Sequence, residues 1–258
     1  GRSSPSQVVL GPPRRLLALH MASIKCRCGA VSVAFACEKP IHQLECCCVD
    51  CYSKNVWAYK KASAPLPSGV TGVHGEGKPL DLRYWPNKLA VTGKEKLAFN
   101  RLRDDAASIS MVTTCCSTLL CVDHPFYQTN AVLTFPEFCP YIGAGELPEI
   151  STRAFIKDWP VEKYAELPPK PGFYLTADGP AFEPPGPETE AACAPTFTAF
   201  ANPHISADAP GETFQELLAA AGGSVESLGL PEGANSNQLK AKAALDCGPP
   251  GSLATEAS

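Results

Sequence analysis

The sequence carries no surplus of positive charge. Its 22 Lys and Arg stand against 26 Asp and Glu, a net charge of −4, so nothing favours nucleic acid or an anionic membrane surface as a partner. It has no uninterrupted apolar run of about 18 residues, the length a spanning helix requires, and no transmembrane segment is expected. A Gly-x-Gly-x-x-Gly fingerprint, a phosphate loop and a nucleophile elbow are also missing. Histidines are few, and His42 and His74 have no partner at metal-ligand spacing.

Proline, glycine and cysteine are abundant instead. The 26 Pro and 20 Gly of this 258-residue chain favour many short elements and long connections over a helical bundle. From Ile24 to about Phe138 the pattern is β. Val31, Val33 and Phe35 alternate with Ser32 and Ala34, the period of a half-buried strand. Further short strands are expected at Val56 to Lys60, Leu80 to Trp85, Leu97 to Leu102, Ile109 to Val112 and Ala131 to Phe135. Turn residues such as Pro65, Gly69, Gly75, Pro86 and Asn87 separate them. Trp57, Tyr59 and Tyr84 read as core.

The expected organisation is a mainly β domain over 23–140, an extension over 141–182 packed on it through Trp159, Tyr164, Phe173 and Tyr174, and a tail over 183–258. The tail holds ten acids against Lys240 and Lys242 and is expected to drape loosely or to meet a protein partner. One or two short helices fit within it. Thr213 and Glu216 have capping-box spacing, and Asn237 to Cys247 stops at Gly248-Pro249-Pro250. Residues 1–22 contain Arg2, Arg14 and Arg15 with no acid, the composition of a disordered start or of an organelle transit peptide.

Thirteen cysteines carry the chemistry. The number is odd, and five fall in the runs Cys46–Cys48 and Cys115–Cys116. A disulfide framework uses an even set spread through a small chain, whereas thiols at one- and two-residue spacing suit a shared metal. A reducing intracellular compartment follows, cytoplasmic or, with a transit peptide, an organelle such as a plastid. Cys26 and Cys28 lie in a turn that Gly29 permits. Cys46, Cys48 and Cys51 form Cys-x-Cys-x-x-Cys, three thiols that leave a fourth tetrahedral position open, as a catalytic zinc does. Cys115 and Cys116 supply the distant thiols for a site with Cys26 and Cys28.

In this order, Cys26, Cys28, Gly29, Cys46, Cys48, Cys51 and Cys115 resemble the glutathione-dependent formaldehyde-activating enzyme family, whose domain is shared with centromere protein V. The resemblance covers about residues 24–140. It implies a compact fold of stacked sheets with one or two zinc ions. By that resemblance Cys26, Cys28 and the later pair would hold a structural zinc. Cys46, Cys48 and Cys51 would hold the second, which accepts the thiol of glutathione or another small thiol. Two departures stand out. Cys47 replaces the family's usual His, and Cys115-Cys116-Ser117-Thr118-Leu119-Leu120 replaces Cys-x-x-Cys-Gly-Thr. Adjacent side chains splay apart, so Cys116 needs a distorted turn to reach the site. Otherwise Cys121 bends in, or the site has three thiolates.

A zinc with three thiolates and an exchangeable position makes a bound thiol nucleophilic at neutral pH. The expected activity is that of a carbon–sulfur lyase acting on glutathione–formaldehyde adducts. The alternative is a non-catalytic, zinc-stabilised scaffold whose tails dock onto a larger assembly. Lys54, Lys60, Lys61 and Arg83 are candidate partners for a peptide's carboxylates. Asp50, inside the second motif, reads as an exposed turn residue or an acid–base group, and His124 as a turn residue or a proton shuttle.

Overall fold

The structure is a computed structural model, and it describes residues 21–230 apart from 177 and 207. The chain begins with β1 (Ser23–Lys25), β2 (Ser32–Phe35) and β3 (His42–Cys46), followed by α1 (Val49–Lys61). Six strands follow: β4 (Leu80–Pro86), β5 (Leu89–Thr92), β6 (Leu97–Arg101), β7 (Ile109–Thr113), β8 (Leu119–Asp123) and β9 (Ala131–Thr134). Then come β10 (Tyr141–Ile142), β11 (Arg153–Ala154), β12 (Gly172–Thr176) and β13 (Gly179–Glu183). The described chain closes with α2 (Pro187–Thr198), α3 (Phe214–Ala220) and β14 (Glu226–Ser227). It is mainly β, as expected, and among the described residues no helix is long and apolar enough to cross a membrane.

Two sheets form. The smaller runs β10-β1-β2-β5 and the larger β13-β12-β11-β3-β4-β9-β8-β7-β6-β14. The larger is buried on both faces, which is why its central strands read as near-continuous apolar runs. Period-2 alternation sends successive side chains to opposite sides. Leu82, Tyr84, Val122 and Leu133 join one core cluster, while Trp85, Cys121 and Val132 join the other. That second cluster also holds Ile24, Val33 and Phe35 of the small sheet, with Phe35 stacked on Trp85 at 4.3 Å. The first is covered by α1 through Tyr52, Val56 and Tyr59, and by Cys193 and Phe200 from the α2 region.

Three expectations are corrected. Val56 to Lys60 is helix, part of α1. Tyr52, Val56 and Tyr59 recur at i, i+4 and i+7, a helical stripe that the short alternation of Val56-Trp57-Ala58-Tyr59 hides. Residues 183–230 do not drape loosely: Phe200, Phe214 and Leu217 are at most 1% exposed. A few large apolar side chains anchor this stretch despite its acidic, Pro-rich composition, because each buried one contributes about 1.5–3 kcal/mol. Cys121 does not bend towards the other thiols but is fully buried in the core between the sheets. The capping box is present, with the Thr213 side chain accepting from the Glu216 N–H and Glu216 answering at the Thr213 N–H. Trp159 and Phe173 pack back as expected, both 4% exposed. Residues 1–20 and Asn237 to Cys247 lie outside the described residues.

Helix α3 is held to the sheets at two points. The Gln215 amide donates to Asp123 at 2.9 Å, and the Asn87 Oδ1 accepts from the Phe214 N–H at 2.7 Å. Leu217→Ala should therefore cost about 2–5 kcal/mol in urea unfolding, where a draped tail would give a change near zero. Burial raises the Asp123 carboxyl to about 6, so its neutral form is favoured by folding. That stabilisation is present at low pH and is lost as pH rises through about 6. Between pH 5 and 8 the native chain should lose about 1–2 kcal/mol relative to Asp123→Asn, measured by the same unfolding titrations.

Candidate metal centres

The seven cysteines singled out by spacing fall into two groups in space. Cys26, Cys28, Cys115 and Cys116 form one, and Cys46, Cys48 and Cys51 the other; within each, all ligand atoms lie within 4.8 Å of one another. Either group can hold a metal ion.

The four-thiol group joins two turns. The Gly29 N–H donates to the Cys26 carbonyl at 2.8 Å, and the Val31 N–H donates to the Cys26 sulfur at 3.2 Å. Gly29 sits at φ +75°, a conformation glycine adopts without steric cost. Opposite lies the tip of the β7–β8 hairpin. Its Thr113 backbone N–H donates to the Thr118 carbonyl, and its Thr113 hydroxyl accepts from the Thr118 N–H at 3.1 Å. Ser117 takes φ +50°. This is the distorted turn that lets Cys115 and Cys116 face one point. Thr118, where the second thiol of the family pattern would fall, instead accepts the Arg27 N–H at 3.0 Å. Arg27 then donates to the Cys116 carbonyl and stacks over Tyr59 at 4.3 Å, pinning both turns to α1.

The sulfur separations test the fit of an ion. A tetrahedral site with bonds of about 2.3 Å has sulfur–sulfur edges of about 3.8 Å. The separations are 3.6 Å for Cys26–Cys28, 4.0 Å for Cys26–Cys115, 3.3 Å for Cys28–Cys115 and 3.9 Å for Cys115–Cys116. All are far beyond a disulfide bond of about 2.05 Å. Against the burial that raises it, hydrogen bonds from Thr113 and Thr118 bring the Cys116 thiol down to about 5. A thiolate, the form that binds metal, is thus favoured there.

The three-thiol group sits where β3 runs into α1. Cys46 ends the strand, Cys48 is the residue before the helix, and Cys51 lies in its first turn. The N-terminus of a 13-residue helix favours negative charge on such sulfurs. Burial keeps the Cys46 thiol high, whereas hydrogen bonds from Cys46 and then Cys48 hold Cys51 well below the ordinary thiol range. Strand alternation turns Cys47 away, into a separate cluster with Ile156 and Trp159, and burial raises its thiol.

No known protein family, characterised protein or solved structure matches the chain. What the second group can do is therefore read from its surroundings.

Cys46, Cys48 and Cys51 open onto a cavity of about 130 Å³. Its polar end comes from α1 and from the loop after β6. Asp50 is no exposed turn residue there: Arg103 grips both its oxygens, at 3.0 and 2.8 Å. Lys54 is 3% exposed and donates to Ser108 at 2.9 Å. His124 also lines the cavity. Its Nδ1 accepts from the Phe126 N–H at 3.0 Å, which leaves the proton on Nε2, and burial lowers its pKa to about 3. The ring is neutral at pH 7, so it is a hydrogen-bond donor rather than a shuttle that cycles through a charged state.

Of the basic residues near the motif in sequence, Lys54 alone lines this cavity. Lys60 and Lys61 are exposed, and Arg83 donates to the Pro148 carbonyl at 2.7 Å. The cavity's far wall was not foreseen. Phe173 of β12 and Thr196 and Phe197 of α2 complete it, from segments read as extension and tail. No local pattern marks those residues, because their role exists only once α2 has docked.

Elemental analysis of the purified chain should find two metal ions. Cys48→Ser and Cys115→Ser should each leave one, since each removes a ligand from a different group.

Proposed function

We propose that this chain is a zinc-dependent enzyme that makes or breaks carbon–sulfur bonds in thiol–aldehyde adducts. The observation that carries the reading is the Cys46, Cys48 and Cys51 trio lining a largely apolar cavity, whereas Cys28, Cys115 and Cys116 of the four-thiol group line a shallower, polar recess with Arg27 and Lys61. All-thiol donor sets suit zinc among the divalent ions. On this reading Cys26, Cys28, Cys115 and Cys116 hold a closed structural ion, and the trio holds a second with one position free. The motif order supports kinship with the glutathione-dependent formaldehyde-activating enzymes, and the stacked sheets are compatible with their fold.

The ion, when bound, supplies positive charge that lowers the pKa of a substrate thiol. The residues of the chain do the rest. The Lys54 ammonium, buried beside the trio, offsets the excess negative charge of several thiolates gathered in one place. In the forward direction the substrate sulfur bonds to the carbonyl carbon, the carbon–oxygen π bond breaks, and the thiol proton ends on the oxygen. His124, neutral and protonated on Nε2, supplies a hydrogen-bond donor at the cavity wall for that oxygen. The reverse step cleaves the carbon–sulfur bond. Asp50 is neutralised by Arg103, and its part is to fix the loop over the helix start rather than to move a proton.

The scaffold alternative drew support from the tail. Over residues 183–230 that support is gone, because α2 and α3 are spent on the chain's own core.

Cobalt(II) in place of zinc makes the reading testable in visible light. Adding 2-mercaptoethanol to the cobalt-loaded full chain should change the sulfur-to-metal absorption, and Cys48→Ser should abolish the change. A cobalt-loaded chain whose spectrum ignores added thiol would exclude the enzyme.

A further inference from the structure

We propose that the cavity beside Cys46, Cys48 and Cys51 takes a small thiol, or its aldehyde adduct, bearing an apolar group about the size of a phenyl ring. This rests on the thiol-handling reading above and names its substrate class.

Size is the first constraint. The space of about 130 Å³ is close to the roughly 150 Å³ of an apolar cavity that holds benzene. A tripeptide thiol would fit only as far as its sulfur-bearing end. Chemistry is the second. The wall opposite the thiols is built from Leu82, Tyr84, Leu133, Phe173 and Phe197. These rings hold one another. Phe197 stands edge-on to Phe173 at 5.0 Å, and Tyr84 edge-on to Tyr127 at 5.3 Å. The apolar wall is therefore formed in advance rather than moulded around a ligand.

Charge is the third constraint. Glutathione brings two carboxylates and one ammonium, so at least one carboxylate needs a cation from the protein if it is to leave water. Arg103 is already committed to Asp50 by two hydrogen bonds and to Asp105 at 3.3 Å. Lys54 is the cation on the cavity wall next to the thiols, and its positive charge bears on Cys51. Arg103, the other cation lining the cavity, is thus already paired with carboxylates of the chain, and Lys54 serves the thiols, so neither is left over for a peptide carboxylate. An apolar substituent asks for none.

Size, wall and charge agree, and two of the three depend on α2. Thr196 and Phe197 belong to the part of the chain beyond the span that resembles the glutathione-dependent family. In this reading, that addition changes the substrate from a charged peptide thiol to an apolar one.

The experiment compares benzyl mercaptan with glutathione on the cobalt(II)-loaded full chain, by titration of the visible spectrum. Benzyl mercaptan should half-saturate at a concentration at least tenfold lower. Phe197→Ala, which removes part of the wall, and Ala154→Leu, which fills the space, should each raise that concentration several-fold. Elemental analysis and the sulfur-to-cobalt absorption before any thiol is added show that both variants fold and keep the metal. Glutathione binding as tightly as benzyl mercaptan, or a preference untouched by both variants, overturns the substrate class while leaving a thiol site. No response to any thiol overturns the underlying reading as well.

Discussion

A sulfur that carries charge can leave water only beside a cation or a ring of donors, and this condition shapes the whole molecule. Four chain segments meet at two places to satisfy it. The turn after β1 meets the β7–β8 hairpin tip, and the end of β3 meets the first turn of α1. The first meeting joins residues far apart in the chain, since Cys26 and Cys115 are 89 positions apart and their sulfurs 4.0 Å apart, whereas the second joins near neighbours in sequence. The same condition accounts for Arg27, which spans the first site and rests on Tyr59. It accounts equally for Lys54, a buried cation that finds a purpose next to thiolates.

The two thiol groups differ in what surrounds them. The four-thiol group lies at the surface, with Cys28 and Cys115 exposed, and is completed by its own two turns. Its surroundings are turn backbone, Thr114 and Ser117, and the basic side chains of Arg27 and Lys61. The three-thiol group lies at the floor of a space walled by the buried face of the large sheet. That sheet is covered on both sides, so the cavity has apolar walls and a polar end at Asp50, Lys54 and Arg103. Low polarity there strengthens every charge interaction at the thiols.

Much of the frame was legible in the residues alone. Alternation found β2, and short β-prone stretches set between turn residues found β4, β6, β7 and β9, because both signals are local properties of the chain. The capping box found α3 for the same reason, since Thr213 and Glu216 are neighbours on one turn. Cysteine spacing found every thiol of both groups, because close spacing keeps side chains close however the rest folds. Helix α1 was missed although its apolar stripe was present, since over five residues a helix and a strand can show the same pattern.

What the sequence by itself determined, then, was local: the strand-forming segments, the turns around Gly29, and the sulfurs available to a metal. Only the tertiary structure decided which sulfurs share a site. The choice of Cys116 over Cys121 turned on Ser117 entering a left-handed conformation while Cys121 pointed into the core. Only the tertiary structure, too, brought Phe173 and Phe197 opposite Cys46, Cys48 and Cys51. Composition marked the segment that holds Phe197 as loose, and composition counts average character. A few buried rings at the right places outweigh the average, because burial energy belongs to contacts that the chain makes after it has folded.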